Sequence, residues 1–245
     1  MMVKKLPLGT IFNVFTVLTG SIIGMLLQHI FTEEIQKIVF QAVGLGTILI
    51  GIKMMWRLPE GKTLLFLFAL IFGGILGVVS GLGTFFENIS EWLKAGIGNQ
   101  DSTFSEGLIT AFLLFCVGSM TIVGSLEEGI SGNRDLLVIK SILDGFAAIA
   151  LTGTYGIGVA FSVIPLFIFQ GSLTLLAKKG KSFFDPETVD IVSGIGGALI
   201  IGISINLLNI GDVAVENLLP SLVLGVLLFK YMPDIPLLEK LKKKD

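Results

Sequence analysis

The sequence predicts an all-α polytopic membrane protein of about eight transmembrane helices, in which an inverted three-helix repeat flanks a central helix pair. Three observations predict it. Hydrophobic residues make up 53% of the 245 residues and charged residues only 15%, with a mean hydropathy of +0.89. Apolar runs of the spanning length, about 18 residues or more, fill most of the chain and leave no stretch for a soluble catalytic domain. The basic residues collect in alternate connecting segments, and the first third of the chain matches the last third at one constant shift.

The spans fall, in order, at about 6–28, 37–56, 63–82, 104–125, 136–153, 156–177, 189–209 and 213–231. The first follows Lys4 and Lys5 and reads as a retained helix; a cleaved signal peptide would have a shorter apolar region and a small-residue cleavage site. Between the fifth and sixth lies only Gly153-Thr154-Tyr155-Gly156, which fits either a tight hairpin or broken half-helices. Cytoplasmic loops carry an excess of Lys and Arg. With the N-terminus inside and eight alternating spans, the outside holds only Lys37 and Lys94 of the 17 basic residues. Both termini are therefore expected on the cytoplasmic side.

Single-domain organisation follows: repeat one at 6–82, an outer loop at 83–103, two central spans at 104–153, repeat two at 156–231 and a basic tail at 232–245. In the outer loop, Phe85, Phe86, Ile89, Trp92, Leu93 and Ile97 share one helical face, the pattern of an amphipathic helix lying in the interface. Lys240, Lys242, Lys243 and Lys244 in the tail suit an anionic membrane surface. The formal charge of −2 and the absence of any basic cluster elsewhere give no nucleic-acid footprint. The expected partners are the lipid bilayer and a small solute or ion, with homo-oligomerisation left open.

A shift of 151 positions places Gly20-Ser21 on Gly171-Ser172, Gly46 on Gly197, Ile50-Gly51-Ile52 on Ile201-Gly202-Ile203 and Gly74 on Gly225. Five spans precede the second copy, so it runs upside down relative to the first. Inverted repeats recur in secondary transporters, where two similar halves of opposite orientation can exchange conformations at nearly equal energy. Duplication serving only folding or dimer symmetry is the alternative. Gly20/Gly24, Gly73/Gly77, Gly77/Gly81 and Ala198/Gly202 are small-residue pairs that let helix backbones approach in lipid.

An ionised side chain at the centre of a spanning helix costs about 2.5–3.5 kcal/mol on insertion scales. Asp144 lies in mid-segment of span five, four residues beyond Lys140. Two readings stand: an i,i+4 pair near the interface, or a carboxylate facing a polar cavity that binds a cation or proton. Glu127 and Glu128 lie in a Gly-rich segment, 124–133, which is either a cytoplasmic turn or an unwound segment lining a path. Asn13 and Asn206 are polar residues within spans that need hydrogen-bond partners, and Gln170, Ser172 and Ser21 lie at the matched Gly-Ser pairs. Asp144, Glu127, Glu128, Gln170, Ser172, Ser21, Asn13 and Asn206 are thus the candidates for a substrate or ion pathway.

Several chemistries are struck out. Gly180-Lys181-Ser182 lacks the first glycine of a P-loop and follows no strand. His29 is the single histidine and Cys116 the single cysteine, so a His-rich metal site is absent and Ser-His-Asp catalysis is not expected, while carboxylate-based chemistry at Glu127, Glu128 and Asp144 stays open. No nucleophile–base pair is visible, so an enzyme is not expected. No resident cofactor is called for beyond a coupling proton or sodium ion.

The motifs Phe115-Cys116-Val117-Gly118-Ser119-Met120, Gly124-Ser125-Leu126, Lys140-Ser141, Asp144-Gly145, Gly156-Ile157-Gly158-Val159 and Gln170-Gly171-Ser172 resemble the YdfK/YqgA-type family of bacterial inner-membrane proteins, whose domain is of unknown function. The resemblance covers the whole chain. It implies a bacterial inner-membrane location and supplies no substrate or catalytic residue. The leading expectation is a secondary transporter or ion-coupled permease for an ion or small solute; a non-transporting membrane scaffold or assembly partner is the alternative.

Overall fold

The computed structural model describes residues 6–30, 32–96, 103–116, 119–180 and 185–231, and every described element is helical. Lys4, Lys5, Ile97 and the basic tail lie outside the described residues. The first third of the chain supplies α1 (Leu8–Leu27), α2 (Glu33–Met55) and α3 (Thr63–Val79), and α4 (Leu82–Gly96) follows. The centre supplies α5 (Phe104–Cys116), α6 (Ser119–Ser131) and α7 (Asp135–Tyr155). Last come α8 (Gly158–Phe161), α9 (Val163–Gly180), α10 (Pro186–Leu207) and α11 (Pro220–Tyr231).

Five segments are long and apolar enough to cross a membrane uninterrupted: Leu8–Ile30, Lys37–Met55, Asp135–Tyr155, Gly158–Ala177 and Pro186–Leu207. Two more are bent pairs, α3 with α4 and α5 with α6, each meeting at 57°. Gly81, at φ +67°, ends α3 and lets α4 leave in a new direction. On α4, Leu82, Phe86, Ile89 and Leu93 turn partly inward, with Phe86 against Phe112 of α5 at 6.0 Å between centroids. Phe85 and Trp92, assigned to that apolar face from sequence, are exposed.

The helix of the expected eighth span starts later than its apolar composition suggests, at Pro220 instead of about 213. Asn209 at φ 54° ends α10, and a 3₁₀ turn at Val215–Leu218 precedes α11. Pro220 has no N–H to continue a helix from the preceding turn and instead starts α11. Within the described residues α11 covers twelve residues, a rise of about 18 Å. The fifth span runs two residues beyond its expected end; the turn falls at Gly156, at φ +73°, and the one-turn α8 leads into α9.

α1 packs along α7, α2 along α10, α3 along α11 and α6 along α9. Contacts advance together on α1 and α7 (Gly20 with Gly145, Gly24 with Ile149), so these two are parallel. They run in opposite senses on α2 and α10 (Gly44 with Leu208, Gly51 with Gly197). The seams depend on missing side chains. A Cβ on Gly51 would lie 2.7 Å from the Gly197 carbonyl oxygen, and one on Gly197 would lie 2.5 Å from that of Gly51. α10 forms the central post, with Ile195, Leu199 and Ile203 buried. Outward faces are apolar, as at Phe15, Ile71, Phe72 and Ile168, while Thr10, Asn13, Thr47, Ser125, Asp144 and Gln170 are enclosed. Apolar outside and polar within is the arrangement lipid selects, because interior polar groups find partners that hydrocarbon cannot supply.

The shift of 151 does not match the faces of α1 and α9. Asn13, Val17 and Ser21 are buried, while Ile164, Ile168 and Ser172 at that shift are exposed. A shift of 157 brings buried Gly9, Asn13, Val17 and Gly20 onto Leu166, Gln170, Thr174 and Ala177, all buried. Each glycine serves its own seam: Gly20 packs on Gly145, whereas a Cβ on Gly171 would lie 3.8 and 4.0 Å from Thr10 and Pro7.

Candidate functional site

Asp144 is the tenth of 21 residues in α7, so its carboxylate sits near mid-helix. Residues four apart share a helix face, and Lys140 meets Asp144 there in an ion pair. Gly20 and Gly24 draw α1 against α7, so that the short side chain of Asn13 reaches across. Its Nδ2 donates to Asp144 Oδ2 at 3.0 Å and to Gln170 Oε1, from α9, at 2.9 Å. Asn13 and Gln170 are fully enclosed; Lys140 and Asp144 retain 5% and 8% of their exposure. Asn13 Oδ1 and Gln170 Nε2 have no protein partner, which leaves one acceptor and one donor free beside the ion pair.

The cluster borders a cavity of about 410 Å³ between α2, the two halves of span four, α7 and α10. Leu114 lies before the α5–α6 break, and Met120 and Thr121 lie after it. The Thr121 hydroxyl donates to the Phe115 carbonyl at 2.9 Å across the break. The i,i+4 pair expected from sequence is present, but near mid-helix, and it lines a cavity that is mostly apolar rather than polar.

Glu128 stands one turn away. Its Oε1 accepts from the Gly9 N–H at 2.9 Å and from Arg134 Nε at 2.8 Å, and the residue is 5% exposed. Gly9 lies in the first turn of α1, where backbone N–H groups lack helical acceptors and favour an anion. Glu128 at Gly9 and Asp144 at Asn13 thus approach α1 about 6 Å apart along its axis. Between them on the chain lies Thr10, buried and with an unpaired hydroxyl. Glu127 is half-buried beside Glu128.

The structure brings Asn13, Asp144 and Gln170 together and adds Lys140. The other candidates stand apart. Ser172 is exposed on the outer face of α9. Ser21 is buried two turns farther along α1, without a partner. Asn206 clamps the connection after α10, donating to the Val213 carbonyl at 2.9 Å and accepting its N–H at 2.8 Å. Asn206 also lines two cavities, of about 500 and 430 Å³, which share Glu106; the Tyr155 hydroxyl, at the end of α7, donates to Glu106 at 3.1 Å. The sequence reading missed Glu106, Arg134 and Thr47. Only Arg134 carried a signal, through its loop position near Glu128. No group of three or more His, Cys, Asp or Glu side chains is placed to hold a metal among the described residues.

Comparison with known proteins places these features in a family context. The chain is 35% identical over 218 residues to the "Uncharacterized membrane protein YdfK" of Bacillus subtilis (strain 168), covering 88% of this chain and 93% of the relative. It is 28% identical over 224 residues to the "Uncharacterized protein YqgA" of Escherichia coli (strain K12), covering 89% and 94%. No solved structure matches. Residues 8–230 match the family described as "Protein of unknown function (DUF554)", and the chain belongs to that family of membrane proteins.

Proposed function

We propose that the protein is a secondary transporter, an ion-coupled permease of a bacterial inner membrane with both termini cytoplasmic, whose site is centred on Asp144. One observation carries the reading: a mid-helix carboxylate accepts a hydrogen bond from Asn13 of α1, which also donates to Gln170 of α9, so that the leading spans of the two halves meet there beside a broken span. Ionisable groups within a membrane mark ion and substrate pathways, and broken helices at the junction of repeats line such sites.

The contacts between halves support an inverted repeat. In such a repeat, residues on the pseudo-two-fold axis touch their own counterparts, so contacting counterparts share one sequence separation. Asn13–Gln170 and the hydroxyl pair Thr47–Ser204, 2.7 Å apart, are both separated by 157 residues. A Cβ on Gly225 would lie 3.5 Å from that of Ala69, at a separation one shorter. Glu128 and Thr10, one turn from the cluster, offer a route for the coupling proton from the end where α1 begins.

The test is flux in proteoliposomes under imposed proton and sodium gradients. Wild-type protein should move solute or ion in a gradient-dependent manner, and Asp144→Asn should lower the rate at least about tenfold, ~1.4 kcal/mol. A second reading, a scaffold stabilised by the Lys140–Asp144 pair, is favoured by the near-complete burial of both residues. It predicts no flux for any variant.

A further inference from the structure

The cavity beside Asp144 has an uneven lining. One wall presents a cation and an anion four residues apart, Lys140 and Asp144; the remainder is mostly apolar, including Ile50, Leu143 and Ile200. Its volume of about 410 Å³ lies within the roughly 300–1,000 Å³ of small-molecule sites, which are mainly apolar with a few placed polar groups. Gly46, Ile50 and Leu143 on its rim are mid-helix and exposed, so it opens on the flank of the bundle between α2 and α7.

We infer that this cavity binds a small zwitterion with an apolar body, the ligand's carboxylate or phosphate taking Lys140 and its ammonium taking Asp144. The inference rests on the reading of Asp144 as the centre of a transport site and names the substrate class of that site. A lone anion or cation entering here would pair with one member of the Lys140–Asp144 couple and leave the other as an uncompensated buried charge, which is strongly unfavourable. A zwitterion exchanges one internal pair for two and leaves no charge alone. The free donor on Gln170 and free acceptor on Asn13 lie behind Asp144 in the same cluster and can take up hydrogen bonds as the pair opens. Bare inorganic ions would gain nothing from Ile50, Leu143 and Ile200, whereas an aliphatic or aromatic body buries its surface there.

The same head-group chemistry occurs in apolar amino acids arriving from water and in phosphatidylethanolamine arriving from the bilayer. The experiment separates them. Calorimetric titration of detergent-solubilised, delipidated protein uses L-leucine and L-phenylalanine, with 3-methylbutylamine and 4-methylpentanoate as single-charge analogues. A parallel arm measures phosphatidylethanolamine retained through purification from mixed phosphatidylethanolamine–phosphatidylglycerol nanodiscs. The inference expects the zwitterion to bind at least about tenfold tighter than either analogue, or phosphatidylethanolamine to be retained selectively. Lys140→Met with Asp144→Asn, a charge-free pair of similar volume, should abolish both signals. Gly46→Phe should do so as well, because a Cβ at Gly46 meets nothing within 4 Å and the ring can fill the cavity without disturbing the seams.

Equal binding of amine or acid, zwitterion binding that survives Gly46→Phe, or no signal in either arm would overturn it. Asp144-dependent flux without zwitterion binding sinks this inference and leaves the transporter reading standing. Binding without flux does the reverse.

Discussion

At the scale of single residues, Lys140 and Asp144 decide most. Each ion is enclosed, so removing one charge strands the other. Lys140→Met or Asp144→Asn alone should destabilise the protein by about 3–5 kcal/mol, whereas a neutral replacement of both should cost little. Unfolding midpoints in detergent of the two single variants and the double variant check this; a double variant as unstable as the sum of the singles would mean that the pair is not an isolated unit. The same cycle separates structure from function. A restored midpoint with no restored flux assigns the charges to transport, since packing alone would recover both. Glu128 plays a different part: it holds the start of α1 through the Gly9 N–H and is itself held by Arg134. Neither contact crosses the Asp144 cavity.

At the scale of elements, seams set the geometry of the site. α1 reaches α7 closely enough for Asn13 to touch Asp144 because Gly20 presents no side chain to the Gly145 carbonyl. Gly20→Leu should drive the helices apart, cost about 1–3 kcal/mol through overpacking and abolish Asp144-dependent activity. Gly46→Ala is the contrasting case. Its Cβ would meet nothing within 4 Å, so it should raise stability by up to about 1 kcal/mol through helix propensity alone. Thermal unfolding of the two variants side by side checks both signs. The bend between α5 and α6 belongs to this scale too, since it places Leu114 and Met120 on one cavity wall.

At the scale of the whole molecule, transport requires the two halves to move against each other. The Thr47–Ser204 contact joins α2 to α10 near the proposed axis. Thr47→Cys with Ser204→Cys should form a cross-link under mild oxidation, arrest flux and release it again on reduction, as read by gel mobility and proteoliposome assay. Full cross-linking with undiminished flux would show that the halves do not separate along this seam. Buried Cys116 provides no competing accessible thiol.

Composition and the lengths of apolar runs determined the class of this protein by themselves, because lipid leaves helices as the way for such runs to satisfy their backbones. Asp144 was also legible from sequence, since a charge in mid-span must be explained, and its i,i+4 neighbour Lys140 could be paired with it by helical geometry. What the tertiary structure decided is which distant polar groups meet. Asn13 and Gln170 looked no different from Ser21, Ser172 or Asn206, as each is one polar residue in an apolar helix. Their rotation about the helix axis turns Asn13 onto Asp144, Gln170 onto Asn13, Ser172 outward and Asn206 onto its own loop. The register of the proposed repeat was likewise not legible, because glycines mark where helices touch and not which positions would be equivalent. The start of the last helix came only from the fold, where a 3₁₀ turn at Val215–Leu218 and Pro220 interrupt a run that hydropathy reads as continuous from 213. Apolar character is a property of segments and can be summed along a chain, whereas a site depends on the phase of several helices at once.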